Sequence, residues 1–260
     1  MSSIENTAPT PSSSVFTLFS PKLLPATLML GGGVTLYAVE SYITATIAPS
    51  IVRDIGGLEL FSWMTTLFVA AGVLGSITVA TRPKGMGLRT VYVGAALIFG
   101  IGSLACAIAP MMPVLLAGRA IQGYGAGMLS GLAYAFIRFV YPEALWRKAS
   151  TLYAAIWGVA TVLGPTLGGL FAAGGAWREA FIILVPLTVI MALSARRLLP
   201  GVADDRIDTR TPLAQIGLLL TAVLFVSIAS TVDHGTYKVV LIAISIALVA
   251  TMVVIERKDD

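Results

Sequence analysis

Charged side chains are scarce in this sequence. They make up 12% of its 260 residues, whereas 57% of the residues are hydrophobic and the mean hydropathy is +0.90. Soluble domains carry roughly 25% charged residues. The shortage excludes an ordinary water-soluble globular protein and favours a chain that lies in a lipid bilayer.

Cysteine and histidine are nearly missing as well, since Cys106 and His234 are the only examples of each. A single cysteine excludes an internal disulfide and a cysteine-based metal site. His234 follows Asp233 in a predicted loop that offers no third partner for catalysis. The glycine-rich segment "GYGAGM" lacks the last glycine of a dinucleotide fingerprint and follows no predicted strand. We therefore expect no enzyme activity, no cofactor and no metal site.

Long apolar runs fill the chain instead. A membrane helix needs about 20 mostly apolar residues. Eight stretches reach about this length. The sixth is the shortest, and we expect its helix to extend into the flanking residues. Their approximate ranges are 23–50, 60–81, 90–109, 114–137, 150–173, 180–195, 213–232 and 237–255. The pattern predicts an all-α integral membrane protein with eight spans.

The remaining segments are short and polar. Residues 1–22 are rich in Ser, Thr and Pro, a composition typical of a flexible tail. Residues 199–212 connect the first six spans, within 23–198, to the last pair, within 213–260.

Basic residues are unevenly distributed over these segments. With the N-terminus inside, the cytoplasmic segments hold 13 Lys and Arg residues and the outer loops hold three, while Arg119 lies within a span. Cytoplasmic loops of membrane proteins carry such an excess. The asymmetry predicts that both termini are cytoplasmic, and it explains the net charge of +4 without a nucleic-acid partner.

Two opposite charges lie deep in predicted spans. Arg119 is about six residues, or roughly 9 Å, from the outer surface, and Glu40 about ten residues, or roughly 15 Å. A charge at the centre of a bilayer costs roughly 2.5–3.5 kcal/mol on insertion scales, so it needs a partner or water. We predict that these side chains meet. Two interpretations stay open: an ion pair that only fixes helix packing, and a pair that lines an aqueous pathway.

Polar neighbours favour the pathway. Tyr37, Ser41 and Thr44 share a helical face with Glu40, and Gln122 lies one turn from Arg119. A carboxylate in such a site can gain or lose a proton as its surroundings change. These six residues form the predicted proton and substrate pathway.

The segment "GPTLGG" at 164–169 has a different character. Pro165 has no N–H and crowds the carbonyl of Thr161, which predicts a kink. Gly164 and Gly168 form a small-xxx-small pair that allows close helix packing.

Several of these segments resemble the major facilitator superfamily, specifically its drug:proton antiporter family with fourteen spans. "ESYITATIAP" is similar to the first-span motif, with Glu40 where that family has an aspartate. "RAIQGYGAG" is similar to the fourth-span motif and matches it at Arg119, Gln122 and Gly123. "WGVATVLGPTLGG" resembles the antiporter motif, and the matching positions are Gly158, Gly164, Pro165, Gly168 and Gly169.

The resemblance implies a six-helix N-terminal transporter bundle followed by two linker helices. It also implies proton-coupled export of small organic or drug-like molecules, with proton exchange at Glu40. In the loop between spans 2 and 3, Gly87 and Arg89 fit the family's conformational lock, as gating or helix-interface positions. Lys84 stands where the family has an aspartate and Ala80 where it has a glycine, so the usual lock lacks its acid.

The chain stops where a second six-helix half begins in that family. We expect it to work in the cell inner membrane as the N-terminal portion of a transporter. Its expected partners are the lipid bilayer, protons, a small organic substrate and a second half-transporter or a second copy. The alternatives are a degenerate or half-size membrane protein that binds or scaffolds without transport, and a channel.

The predicted orientation can be tested by labelling single cysteines from outside intact cells with a membrane-impermeant thiol reagent. In a Cys106→Ser background, Glu59→Cys and Asp233→Cys should be labelled, because both positions fall in predicted outer loops. Ser12→Cys should stay unlabelled. Labelling at position 12 but not at position 59 would reverse the orientation.

Overall fold

The computed structural model describes residues 14–80, 87–201, 217–218, 221–222, 224–226, 228–229 and 235–259. Within these ranges every regular element is helical, which confirms the predicted all-α class. The α-helices are α1 (Leu24–Ile55), α2 (Trp63–Ala80), α3 (Leu88–Ala107), α4 (Met112–Val140), α5 (Glu143–Ala173), α6 (Trp177–Ile182), α7 (Leu184–Leu198) and α8 (Gly235–Asp259). Short 3-10 helices occupy Val15–Phe19 and Leu58–Leu60.

Four helical segments in the described part are long and apolar enough to cross a membrane. They are Leu58–Val79, Leu88–Ala107, Glu143–Ala173 and Trp177–Leu198. With 32 and 29 residues, α1 and α4 also exceed the length of a span, but they carry Glu40 and Arg119 in their interiors. Most of predicted span 7 lies outside the described residues, so the number of eight spans stays a prediction.

Several predicted helix boundaries change in the structure; the first span, for example, ends at Ile55 rather than 50. The sixth span, predicted at 180–195, extends from Trp177 to Leu198 and is interrupted at Ile183. Pro186 explains the interruption, because it has no N–H and its ring crowds the carbonyl four residues earlier. The fifth span begins at Glu143 rather than 150, directly after Pro142 in extended backbone.

Part of the predicted tail is ordered against the bundle. Leu18, in the 3-10 helix Val15–Phe19, is fully buried, and its carbonyl accepts a hydrogen bond from Thr27 Oγ1 over 2.8 Å. Thr27 Oγ1 also lies 2.9 Å from the Tyr141 hydroxyl. The apolar side chain of Leu18 and these bonds fix residues that composition alone assigned to a flexible segment. The tail prediction for residues 1–13 lies outside the described residues.

Helix α4 lies at the centre of the bundle. It packs extensively against α2 on one side and α3 on the other, while α1 packs against both α5 and α4, and α7 covers α3. We call the end where α1 begins and α7 finishes the basic end, because the described residues there include Arg138, Arg147, Arg196 and Arg197. The other end is called the opposite end.

Glycines on two faces of α4 allow this close packing. A Cβ placed on Gly123 would lie 2.1 Å from the Phe68 carbonyl oxygen in α2. A Cβ placed on Gly127 would lie 1.8 Å from the Gly72 carbonyl oxygen in the same helix. On the other face, a Cβ on Gly125 would lie 2.5 Å from the Phe99 nitrogen in α3. Real side chains do not approach backbone so closely. The run of glycines after Arg119 therefore places α4 in backbone contact with two neighbours.

Substitution of Gly127 should show how strongly the bundle depends on this packing. Gly127→Ala should lower the free energy of unfolding by about 1–3 kcal/mol or more, because the new methyl group overlaps the Gly72 carbonyl. Gly94→Ala in α3 is the matched control, since a Cβ there meets no described atom within 4 Å. Denaturant titration in micelles measures both variants. Equal stabilities would show that α2 and α4 can separate without loss.

Candidate functional site: a buried ion pair

Glu40 and Arg119 form an ion pair in the interior of the bundle. Arg119 Nη1 donates to Glu40 Oε1 over 2.9 Å, and each side chain is only 1% exposed. The structure thus brings together the two charges that lie deep in α1 and α4. It places them inside the described bundle.

Helix α2 supplies two further partners for the guanidinium. Arg119 Nε donates to the Met64 carbonyl oxygen over 3.3 Å, and Arg119 Cζ lies 3.9 Å from the centroid of the Phe68 ring. A cation over an aromatic face is attracted by the ring quadrupole. The sequence did not single out either residue, because a backbone carbonyl and an apolar ring carry no polar signal in a span.

Gln122 extends the cluster to α3. Its Oε1 accepts from Arg119 Nη1 over 2.5 Å, and its Nε2 donates to Ser103 Oγ over 2.9 Å. Ser103 Oγ in turn donates to the Phe99 carbonyl oxygen, and the Ser103 side chain is fully buried. Ser103 is not among the predicted site residues, although a serine deep in an apolar span is a signal that a polar partner lies opposite.

The two oxygens of the Glu40 carboxylate have different surroundings. Oε1 accepts from Arg119 and also from Thr44 Oγ1, which lies 2.8 Å away. Oε2 is buried and has no hydrogen-bond partner among the described residues. An unsatisfied buried acceptor is destabilising by about 1–3 kcal/mol, and more when it is charged. The carboxylate therefore keeps one oxygen available for a proton or for a donor group.

The remaining residues of the predicted pathway lie farther from the charges. The half-buried Tyr37 ring lies edge-on to Phe68 at 5.4 Å and to Trp157 at 5.3 Å, measured between ring centroids. Ser41 Oγ donates to the Tyr37 carbonyl oxygen rather than to the ion pair. Tyr37 thus packs against Phe68, the ring that lies under the Arg119 guanidinium, and the pathway roles of all six residues stay predictions.

Helix α5 presents two different faces. A Cβ on Gly164 would lie 2.3 Å from Tyr42 Cβ, and one on Gly168 would lie 2.7 Å from Thr46 Cβ, so this face packs tightly against α1. A Cβ on Gly158 or Gly169 would meet no described atom within 4 Å. Pro165 and Val162 share this second, exposed face, and α5 continues as a helix through Pro165. The five predicted interface positions therefore divide between a packed face and an open one.

The predicted lock residues lie at the basic end. Gly87 precedes the first turn of α3, and Arg89 Nε donates to the Leu199 carbonyl oxygen over 2.6 Å. This bond joins the start of α3 to the end of α7. Lys84 lies outside the described residues.

A second charged contact, at the opposite end, was not predicted from the sequence. The Asp54 carboxylate accepts hydrogen bonds from Arg178 Nη1 and from Trp177 Nε1, and Arg178 Nη2 donates to the Ala109 carbonyl oxygen over 3.1 Å. This exposed contact, the opposite-end clamp, joins the end of α1, the start of α6 and the connection between α3 and α4. The hydrogen bond from Arg178, and to a lesser extent the one from Trp177, lowers the pKa of Asp54 below its ordinary value. The clamp therefore stabilises the fold fully at a pH above the ordinary pKa of an aspartate. This stabilisation is lost as the pH falls through the lowered pKa that Asp54 has in the folded protein.

Comparison with known proteins places the chain in a family. The Major Facilitator Superfamily is a family whose model matches this chain, over residues 29–255. A probable multidrug-efflux transporter of Mycobacterium tuberculosis is 39% identical over 242 residues, which are 90% of this chain and 51% of the relative. Multidrug resistance protein 3 of Bacillus subtilis is 32% identical over 168 residues, covering 65% of this chain and 32% of that protein.

A solved structure supports the fold independently. The crystal structure of a D-xylose-proton symporter aligns with 89% of this chain and 67% of its own chain, with a TM-score of 0.56 and 14% sequence identity. Similarity at this identity shows the fold alone. The chain belongs to the major facilitator superfamily and spans about half the length of the mycobacterial relative, 51% of it.

A double-mutant cycle should measure the coupling between Glu40 and Arg119. Arg119→Met alone should lower the free energy of unfolding by about 3–5 kcal/mol, because it leaves a buried carboxylate without its cation. The double variant with Glu40→Gln should lose clearly less than the sum of the single variants. Unfolding in mixed micelles gives the four values. The exposed pair of Asp54→Asn and Arg178→Met is the control, and equal coupling in the two cycles would contradict a special role for burial.

Proposed function

We propose that this chain forms the N-terminal bundle of a proton-coupled exporter of small organic molecules. The observation that carries the proposal is the buried ion pair, in which Glu40 Oε1 is bonded to Arg119 and Oε2 has no partner among the described residues. Intramembrane charges that pair in a bundle interior usually mark ion or substrate pathways. The mycobacterial relative, named as a probable multidrug-efflux transporter, supports the direction of transport and the class of substrate, and the name of multidrug resistance protein 3 agrees with it.

Proton exchange at Glu40 follows from two opposing effects. Burial favours the neutral acid, and the nearby Arg119 guanidinium favours the anion. A movement of α1 relative to α4 changes the balance, because it lengthens or shortens the 2.9 Å contact between the two groups. The carboxylate would then accept a proton when Arg119 withdraws and release it when Arg119 returns. Arg119 would modulate this exchange, while Gln122 and Thr44 hold the two groups in position.

A second bundle would complete the transporter. Alternating access in such folds moves one bundle against another around a site between them. The exposed face of α5 suits this contact, since Gly158 and Gly169 leave room for another helix to approach. The partner would be a second half-transporter or a second copy of this chain. The need for a partner does not come from exposed charge, because the ion pair is already buried in this bundle.

The cellular setting follows from the basic end. Arg138, Arg147, Arg196 and Arg197 lie there, and cytoplasmic surfaces of membrane proteins carry such an excess of positive charge. We place this end on the cytoplasmic side of the cell inner membrane, together with both termini.

Vesicles that contain the complete transporter test the proposal. Under an imposed proton gradient, Glu40→Gln should abolish the pH dependence of dye efflux, because the amide cannot exchange a proton. Glu59→Gln is the matched control, since Glu59 is an exposed acid in the 3-10 helix Leu58–Leu60, and it should leave the pH profile unchanged. The 260-residue chain alone should give no efflux.

Two outcomes would contradict the proposal. An unchanged pH profile in Glu40→Gln would remove the acid from proton coupling and leave the ion pair a packing element. Dye that binds to the complete protein without gradient-driven efflux would instead favour a non-transporting membrane protein.

A further inference from the structure

A groove opens on the side of α1 turned away from Tyr37, between α1, α5 and α7. Its volume is about 400 Å³, within the range of ligand pockets. Gly31 and Gly32 form its floor: a Cβ on Gly31 would lie 3.5 Å from Ile156 Cδ1, and one on Gly32 would lie 3.5 Å from Met191 Cε. The missing side chains of these two glycines keep the groove open.

The groove offers hydrocarbon surface and little else. The hydroxyl groups that line it belong to Thr27 and Thr35. Thr35 Oγ1 donates to the Gly31 carbonyl oxygen over 2.8 Å, and Thr27 Oγ1 donates to the Leu18 carbonyl oxygen. Both hydroxyl protons are therefore used within the protein. A ligand in this groove must be apolar along its length.

One wall of the groove leads to positive charge. Leu187 and Met191 line the groove, and Ser194 and Leu198 follow them on the same face of α7 at helical spacing. Ser194 and Leu198 line a second, open cavity at the end of α7, which also includes Arg196 and Arg197. Arg196 follows Met191 by five positions, roughly 7.5 Å along the helix axis. Both arginines are exposed, and neither belongs to an ion pair within the described part of the chain.

We propose that this surface binds an anionic phospholipid. One acyl chain lies in the groove above Gly31 and Gly32, and the phosphate lies against Arg196 and Arg197 at the basic end. The combination of apolar groove and adjacent cations matches a molecule that joins hydrocarbon to a negative headgroup, and basic pockets between membrane helices recognise such lipids. The site lies apart from the Glu40–Arg119 pair, and the proposal does not depend on what the protein transports.

Native mass spectrometry of the 260-residue chain, titrated with lipid, tests the site. Phosphatidylglycerol and phosphatidylcholine with identical acyl chains are the two probes. A basic residue near the membrane surface contributes roughly a fivefold preference for anionic lipid, so the two arginines together should give up to about 30-fold. Equal binding of the two lipids by the wild-type chain would overturn the proposal.

Two charge variants assign the headgroup site. R196Q/R197Q should abolish the preference for phosphatidylglycerol while phosphatidylcholine binds as before. R138Q/R147Q is the matched control, since it removes the same charge from exposed positions at the same end, outside both cavities. It should keep the preference. Equal losses in the two variants would show a general charge effect and contradict a site at α7.

The acyl-chain part has its own test. Gly32→Leu should fill the groove and weaken both lipids by the same factor, because its side chain occupies the space beside Met191. Glycerol phosphate, which carries the anion without hydrocarbon, should not compete with phosphatidylglycerol for the wild-type chain. Competition by glycerol phosphate would show that the site binds anions without hydrocarbon, and it would overturn the proposal that an acyl chain lies in the groove. Because this arm uses the wild-type chain, it decides the matter even when the variant fails to fold.

Discussion

The positive charge of Arg119 must be partnered inside a bundle that has little else that is polar. Four helices meet this requirement together. α1 provides the Glu40 carboxylate, α2 the Met64 carbonyl and the Phe68 ring, and α4 itself provides Gln122, which is held by Ser103 of α3. A lone guanidinium in this position would be strongly destabilising. The rotation of each helix about its axis is therefore fixed by the partner that it presents to one side chain.

The glycines of α4 are the other half of this arrangement. Hydrogen bonds to Arg119 and Gln122 reach across to α2 and α3 only if those helices lie close to α4. Gly123 and Gly127 bring α2 to backbone contact, and Gly125 does the same for α3. The Ser76 hydroxyl uses this closeness to donate to the Gly127 carbonyl oxygen over 2.9 Å. The glycines thus allow the close helix packing that brings partners within reach of the buried Arg119, and the bonds to Arg119 and Gln122 in turn hold those helices together.

The sequence determines some parts of this site and not others. The meeting of Glu40 with Arg119 can be predicted, because two opposite charges at similar depth in an apolar chain have few other partners. Met64 cannot, because its contact depends on how α2 is rotated, which no residue pattern in that span specifies. Ser103 is a polar residue in an apolar span, so the sequence indicates that it needs a partner but does not indicate that the partner is Gln122. Helix α5 shows the same limit: the spacing of Gly164 and Gly168 indicates a packed face, but nothing local distinguishes them from Gly158, which faces outward. The interruption at Ile183 has a local cause in Pro186, so a break in the sixth span can be predicted from the sequence alone.

The order of synthesis gives the ion pair a further consequence. Glu40 precedes Arg119 by 79 residues, so the ribosome completes α1 long before the matching cation exists. At roughly 5–20 residues per second, the interval is about 4–16 seconds. During that time the acid has to stay neutral or remain beside the insertion machinery, since hydrocarbon does not accept an isolated carboxylate. Arg119 becomes available to Glu40 only when α4 is inserted. The charged form of α1 is therefore stable in the membrane only after α4 has packed against it.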